Sequence, residues 1–72
     1  MKMDVIVGGK YRHYKGNEYI VLAIANHSET EEEMVVYQAL YGEQRVWVRP
    51  KSMWHETVTL QNGEQVLRFQ LL

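Results

Sequence analysis

The chain has 72 residues, of which 46% are hydrophobic and 24% charged, and a formal net charge of −1 at pH 7. Composition and length describe one ordinary globular domain with a small core, because a chain near this size buries only about 60% of the surface it exposes when unfolded. Cysteine is absent, which excludes disulfides, thiolate zinc sites and cysteine nucleophiles, and the near-zero net charge argues against a general affinity for nucleic acid.

The N-terminal stretch MKMDVIVGG carries one lysine and an apolar run from Val5 to Val7, far too short for a signal peptide. No segment approaches the ~20 apolar residues of a membrane span, so a cytoplasmic protein is expected. The first strand candidate, YRHY, places Tyr11 and His13 on one face and Arg12 and Tyr14 on the other. A turn at Lys15-Gly16-Asn17-Glu18 follows. In Tyr19–Ala25, Ile20, Leu22 and Ile24 alternate with Tyr19, Val21 and Ala23, the period-two pattern of a half-buried strand.

Residues 28–33 read SETEEE and hold four of the nine acidic residues. Segregating that charge leaves the rest of the chain at about +3, enough for one basic face. Ser28 followed by Glu31 resembles a capping box, but Val35-Val36-Tyr37 are β-formers. The spacing predicts a loop at 28–33 and a strand at about 34–40. After a turn at Tyr41-Gly42-Glu43-Gln44, the alternation in Arg45–Arg49 points Val46 and Val48 inward and Arg45, Trp47 and Arg49 outward. Pro50 falls after that strand, where a missing N–H does least harm.

Gln61-Asn62-Gly63-Glu64 contains Asn-Gly, the strongest short-range hairpin signal, and predicts a type I′ turn. Gln65–Leu71 then reads as one strand, with Leu67, Phe69 and Leu71 on one side and Val66, Arg68 and Gln70 on the other. Five or six short antiparallel strands in so small a chain predict an all-β, SH3-like barrel, because closure removes exposed edges.

Four blocks stand in order along the chain: Tyr11-Arg12-His13-Tyr14-Lys15-Gly16, His27-Ser28-Glu29-Thr30, Val36-Tyr37 with Leu40-Tyr41-Gly42, and Trp47-Val48-Arg49-Pro50. Together they resemble a family of small bacterial proteins, domain-of-unknown-function family 1653, from about Gly9 to Val58 and more weakly to Phe69. The resemblance implies a compact, SH3-like β domain and supplies no reaction, substrate or cofactor. Family members commonly carry a basic residue before HSET; here it is Asn26, and the loop that follows is unusually acidic.

Three kinds of chemistry compete. His27-Ser28-Glu29 sets a base, a hydroxyl and a carboxylate side by side, which suggests a small hydrolase centred on the HSET loop. Nucleophilic triads, however, converge from separate parts of a fold, and serine and threonine hydroxyls in such loops commonly fix the turn. A catalytic role is therefore not expected. His13, His27 and His55 have no familiar metal-ligand spacing, so neither a metal nor a cofactor is expected.

Recognition is the third. Tyr11, Tyr14, Tyr19, Tyr37, Tyr41, Trp47 and Trp54 outnumber a single phenylalanine, and tyrosine and tryptophan suit sites with one wet end. The same rings also serve small β proteins as cross-strand pairs. Arginines beside aromatics fit protein interfaces and single-strand stacking platforms alike. The leading expectation is a non-enzymatic module that binds a peptide or protein partner through Tyr11, Arg12, His13, His27, Ser28, Glu29, Tyr37, Tyr41, Trp47 and Arg49. The alternative is single-stranded RNA or DNA, with Lys10, Arg12, Lys15, Arg49 and Lys51 on phosphates. Self-association stays open, since a small domain gains from added burial.

Overall fold

Short turns between alternating apolar residues produce antiparallel hairpins in the computed structural model, which describes residues 4–72. Met1, Lys2 and Met3 of the MKMDVIVGG stretch lie outside the described residues. The strands are β1 (Lys10–His13), β2 (Glu18–Asn26), β3 (Glu33–Ala39), β4 (Val46–Pro50), β5 (Thr57–Thr59), β6 (Gln65–Leu67) and β7 (Phe69–Leu71), with a 3₁₀ turn at Lys51–Met53. One antiparallel sheet has the order β4-β3-β2-β1-β7, and β5 pairs with β6 in a second. The fold is all-β. It has seven strands where five or six were expected, and no closed barrel is found among the described residues: β4 and β7 remain as edges of the larger sheet.

Residues 28–30 form turns and β3 begins at Glu33, so the expected loop and strand form and the capping-box pattern does not start a helix. No helix among the described residues is long and apolar enough to cross a membrane. The Asn62-Gly63 hairpin forms between β5 and β6, but its turn differs from the expected type I′. Gly63 has φ +87° while Asn62 keeps a negative φ. Gly63 N–H donates to Leu60 O at 2.9 Å and Leu60 N–H to Glu64 O at 2.8 Å. That is a type I turn closed by a left-handed glycine, and Asn62 Oδ1 accepts the Glu64 N–H at 2.9 Å.

Alternation carries through each strand, yet its phase is not always the expected one. Tyr11 is buried on β1, and Val35, Tyr37 and Ala39 on β3. On β2 a bulge between Val21 and Ala23 shifts the register. Tyr19 and Val21 face the core before it and Ile24 after it, so Ile20, Leu22 and Ile24 do not share one side. On β4 the expectation is inverted. Trp47 pairs with Tyr37 and Arg49 with Val35, and directly opposed residues share a face. Trp47 and Arg49 therefore lie on the inner face, and Val46 and Val48 are 54% and 62% exposed. With apolar residues at 46, 47 and 48, the pattern fixes a period but no phase.

The Gln65–Leu71 run also divides. It breaks at Arg68 so that β6 pairs with β5 and β7 with β1. Trp54 enters from the 3₁₀ turn, its N–H donating to Lys51 O at 3.1 Å, and joins Tyr11, Val21, Val35, Tyr37 and Phe69 in the core. The space beneath β3 and β4 is filled by this indole, which is why the β4 valines are not needed there.

Candidate functional site

The ten residues expected to bind are distributed over several places. Tyr11 and Tyr37 are core residues, 1% and 9% exposed, and are removed from any docking surface; the Tyr11 hydroxyl accepts the Ile6 N–H at 2.9 Å. Arg12 faces outward and donates to Glu18 at 3.0 Å. His13 Nδ1 accepts the Lys15 N–H at 3.2 Å and so holds the β1–β2 turn, while its ring edges onto Phe69. Burial lowers the His13 pKa below 6.5, assisted by the positive charges of Arg68, Lys15 and Arg49.

His27, Ser28 and Glu29 form a self-contained, exposed turn. His27 Nδ1 accepts the backbone N–H of Glu29 at 3.1 Å and of Thr30 at 3.4 Å. Glu31 N–H donates to His27 O, and His27 N–H to Glu32 O, both at 2.8 Å. Ser28 Oγ donates to the Glu29 carboxylate rather than to the histidine. The imidazole lone pair is thus occupied by main chain, and the arrangement lacks the base-to-hydroxyl contact of a triad. Among the described residues no three His, Asp or Glu side chains gather as metal ligands.

Tyr41 and Trp47 do share one region, and Arg49 lies outside the cleft that they line. Tyr41 follows β3 at the end opposite the His27 loop, and seven residues of strand hold the two about 20 Å apart. The Tyr41 and Tyr19 hydroxyls are 2.7 Å apart, their rings meeting at 83°, and Tyr19 in turn edges onto Tyr37. Burial, the Tyr41 hydrogen bond and the neighbouring phenols push the Tyr19 pKa up to about 12. Burial also raises that of Tyr37, against the opposing pull of Arg49. At neutral pH both phenols keep their protons.

Tyr41 and Trp47, 45% and 47% exposed, line a cleft of about 160 Å³ with Ala39, Glu43, Gln44 and Arg45. Arg45 pairs with Glu43 across its rim at 2.8 Å. A larger hollow of about 280 Å³ lies between the β1–β2 turn and the β5–β6 hairpin. Two of its polar lining residues are engaged, Arg12 with Glu18 and His13 with the Lys15 main chain.

Behind Trp47 on the strand, Arg49 donates to Glu56 Oε1 at 3.3 Å, and Arg68 Nε lies 3.6 Å from the same oxygen. Among the described residues neither Arg49 Nε nor Arg68 Nε has a hydrogen-bond partner. Sequence reasoning counted Tyr19 among the polar aromatics without placing it among the ten, and it gave Glu56 and Arg68 no such role. Glu56 sits opposite Arg68 because the β5–β6 register continues one pair beyond Thr57 and Leu67, a relationship visible only once the strand break at Arg68 is known.

The family described as "Protein of unknown function (DUF1653)" matches residues 9–71. Among curated proteins nothing matches. A crystal structure of a DUF1653 protein from Bordetella bronchiseptica is similar at a TM-score of 0.81 and 38% sequence identity, covering 93% of this chain and 87% of that one. With almost its whole length matched in both sequence and fold, the chain belongs to the DUF1653 family.

Proposed function

We propose that this domain is a non-enzymatic docking module that seats an extended segment of a protein partner against Tyr41 and Trp47, its two sheets forming an SH3-like frame. The observation that carries this reading is the pair of half-exposed aromatic rings on one cleft. Tyr41 meets Tyr19 edge-to-face and shares a hydrogen bond with its hydroxyl, and Trp47 stands opposite Tyr37 across the strands, so the Tyr41 ring is set before a partner arrives and loses little side-chain freedom on binding. At about 160 Å³ the cleft is below the ~300–1,000 Å³ of small-molecule pockets and suits a single inserted side chain. Tyrosine and tryptophan are also the residues that dominate binding energy at protein interfaces.

Ion pairing favours a peptide over a nucleic acid. Arg12, Arg45, Arg49, Lys51 and Arg68 each lie within 4.0 Å of a glutamate. Among the described residues only Lys10 and Lys15 stand outside such pairs, too few cations for a phosphate-tracking groove.

A phage-displayed library of extended peptides, selected on the immobilised domain, tests the reading. Selected peptides should lose roughly tenfold or more in affinity against Trp47→Ala or Tyr41→Ala, with circular dichroism unchanged. Failure to enrich any peptide, or equal binding to both variants, overturns it. Tight binding of single-stranded oligonucleotides with a steep salt dependence would establish the nucleic-acid alternative instead.

A further inference from the structure

The outer edge of β4 carries an unused pairing surface. Ala39 N–H donates to Arg45 O at 2.9 Å, which marks Ala39 and Arg45 as a hydrogen-bonded pair. In an antiparallel ladder such pairs alternate, so Tyr37–Trp47 and Val35–Arg49 are bonded pairs, whereas Gln38–Val46 and Val36–Val48 are not. The N–H and C=O groups of Val46 and Val48 therefore point away from β3. β4 is the end strand of its sheet, and among the described residues no backbone bond joins Val46 or Val48 to another strand. Their side chains are 54% and 62% exposed. A bare apolar edge of this kind is a template for a further strand.

We infer that this edge pairs, antiparallel, with β4 of a second copy of the chain, about a twofold axis at Val48. The sequence is self-complementary in that register. Val48 faces Val48, each N–H donating to the other's carbonyl. Val46 faces Pro50, its N–H donating to the Pro50 carbonyl. Trp47 faces Arg49, bringing an arginine stem and guanidinium beside an indole. On the outer face the valines of the two copies join in one apolar strip. Moving the axis to Trp47 would set Arg45 opposite Arg49, and like charges directly opposed are destabilising. Pro50 and the 3₁₀ turn after it end the paired stretch. A contact of five residues per copy is small, so the dimer is reversible and concentration-dependent.

Sedimentation velocity from about 1 µM to about 1 mM protein should show monomer giving way to dimer. Val48→Lys places two lysines on the axis and should raise the dissociation constant roughly tenfold or more. Since the chain has no cysteine, Val48→Cys introduces a single thiol. The two thiols would meet across the axis, and mild oxidation should give a covalent dimer. Val46→Cys thiols would lie about 13 Å apart along the strands and should remain unlinked. A monomer at every concentration overturns the inference, as does a Val48→Lys dimer of unchanged affinity or equal cross-linking at both positions. If Val48→Lys fails to fold, the two cysteine variants decide the matter.

Discussion

The indole of Trp54 lies flat against the ring of Phe69, with centroids 4.0 Å apart and planes within 2° of parallel. Tyr37 and Tyr11 meet the same indole edge-to-face at 5.0 and 5.3 Å. Trp54 Nε1 has no hydrogen-bond partner among the described residues, and its ring is held by packing and ring electrostatics. This stack ties the 3₁₀ turn after β4 to β7 at the far side of the sheet. Trp54→Ala is expected to cost about 3–5 kcal/mol, a large part of the ~5–15 kcal/mol typical of a whole domain. Trp54→Phe retains a ring on Phe69 and should lose less. Urea unfolding followed by circular dichroism measures both, and a loss below about 1 kcal/mol for Trp54→Ala would contradict the role assigned to the stack.

Glu56 is the one carboxylate shared by Arg49 and Arg68, whose side chains are 24% and 29% exposed. Glu56→Gln keeps the shape and removes the charge, leaving two half-buried guanidinium groups facing each other. Solvent screening keeps the expected loss near 1 kcal/mol, between values for exposed and buried pairs. Because part of that loss is repulsion between cations, added salt should shrink it. Urea midpoints at low and high salt provide the check. Equal midpoints for the variant and the parent at low salt would show that Glu56 is not neutralising the two arginines.

His13 makes stability depend on pH in a defined direction. Burial, then Arg68, Lys15 and Arg49, holds its pKa below the ordinary 6.5, so the unfolded chain takes up the proton first. The stabilisation is fully present above pH 6.5, declines as pH falls from there to the folded-state pKa, and changes no further below it. Protonation would also occupy the Nδ1 that accepts the Lys15 N–H. His13→Asn should flatten this limb of the stability curve. Ring-proton NMR of the folded protein should give a His13 midpoint under 6.5, and a midpoint at or above that value would refute the burial argument.

Much of the fold was legible in the residues. Turn glycines, β-branched residues and period-two alternation are local signals, and they located β1 to β4, the loop at 28–33 and the Asn62-Gly63 turn, but not β5 or the break between β6 and β7. The four blocks pointed to the family that the match over residues 9–71 shows. The candidate binding residues were less legible. Tyr11 and Trp54 have wet ends in principle, yet ring stacking and a single main-chain contact make core residues of them. The phase of β4 was misread because Val46, Trp47 and Val48 are apolar on both faces.

Sequence alone determined the class of structure, the positions of β1 to β4 and the absence of cysteine chemistry, since each follows from neighbours a few residues apart. The tertiary fold decided which face of β4 meets the core, where the bulge in β2 reverses the pattern, and that Arg49, Glu56 and Arg68 converge. Those outcomes depend on which distant side chain fills a shared space. Trp54, delivered by the turn after Pro50, fills the space beneath β3 and β4 and leaves the β4 valines in water.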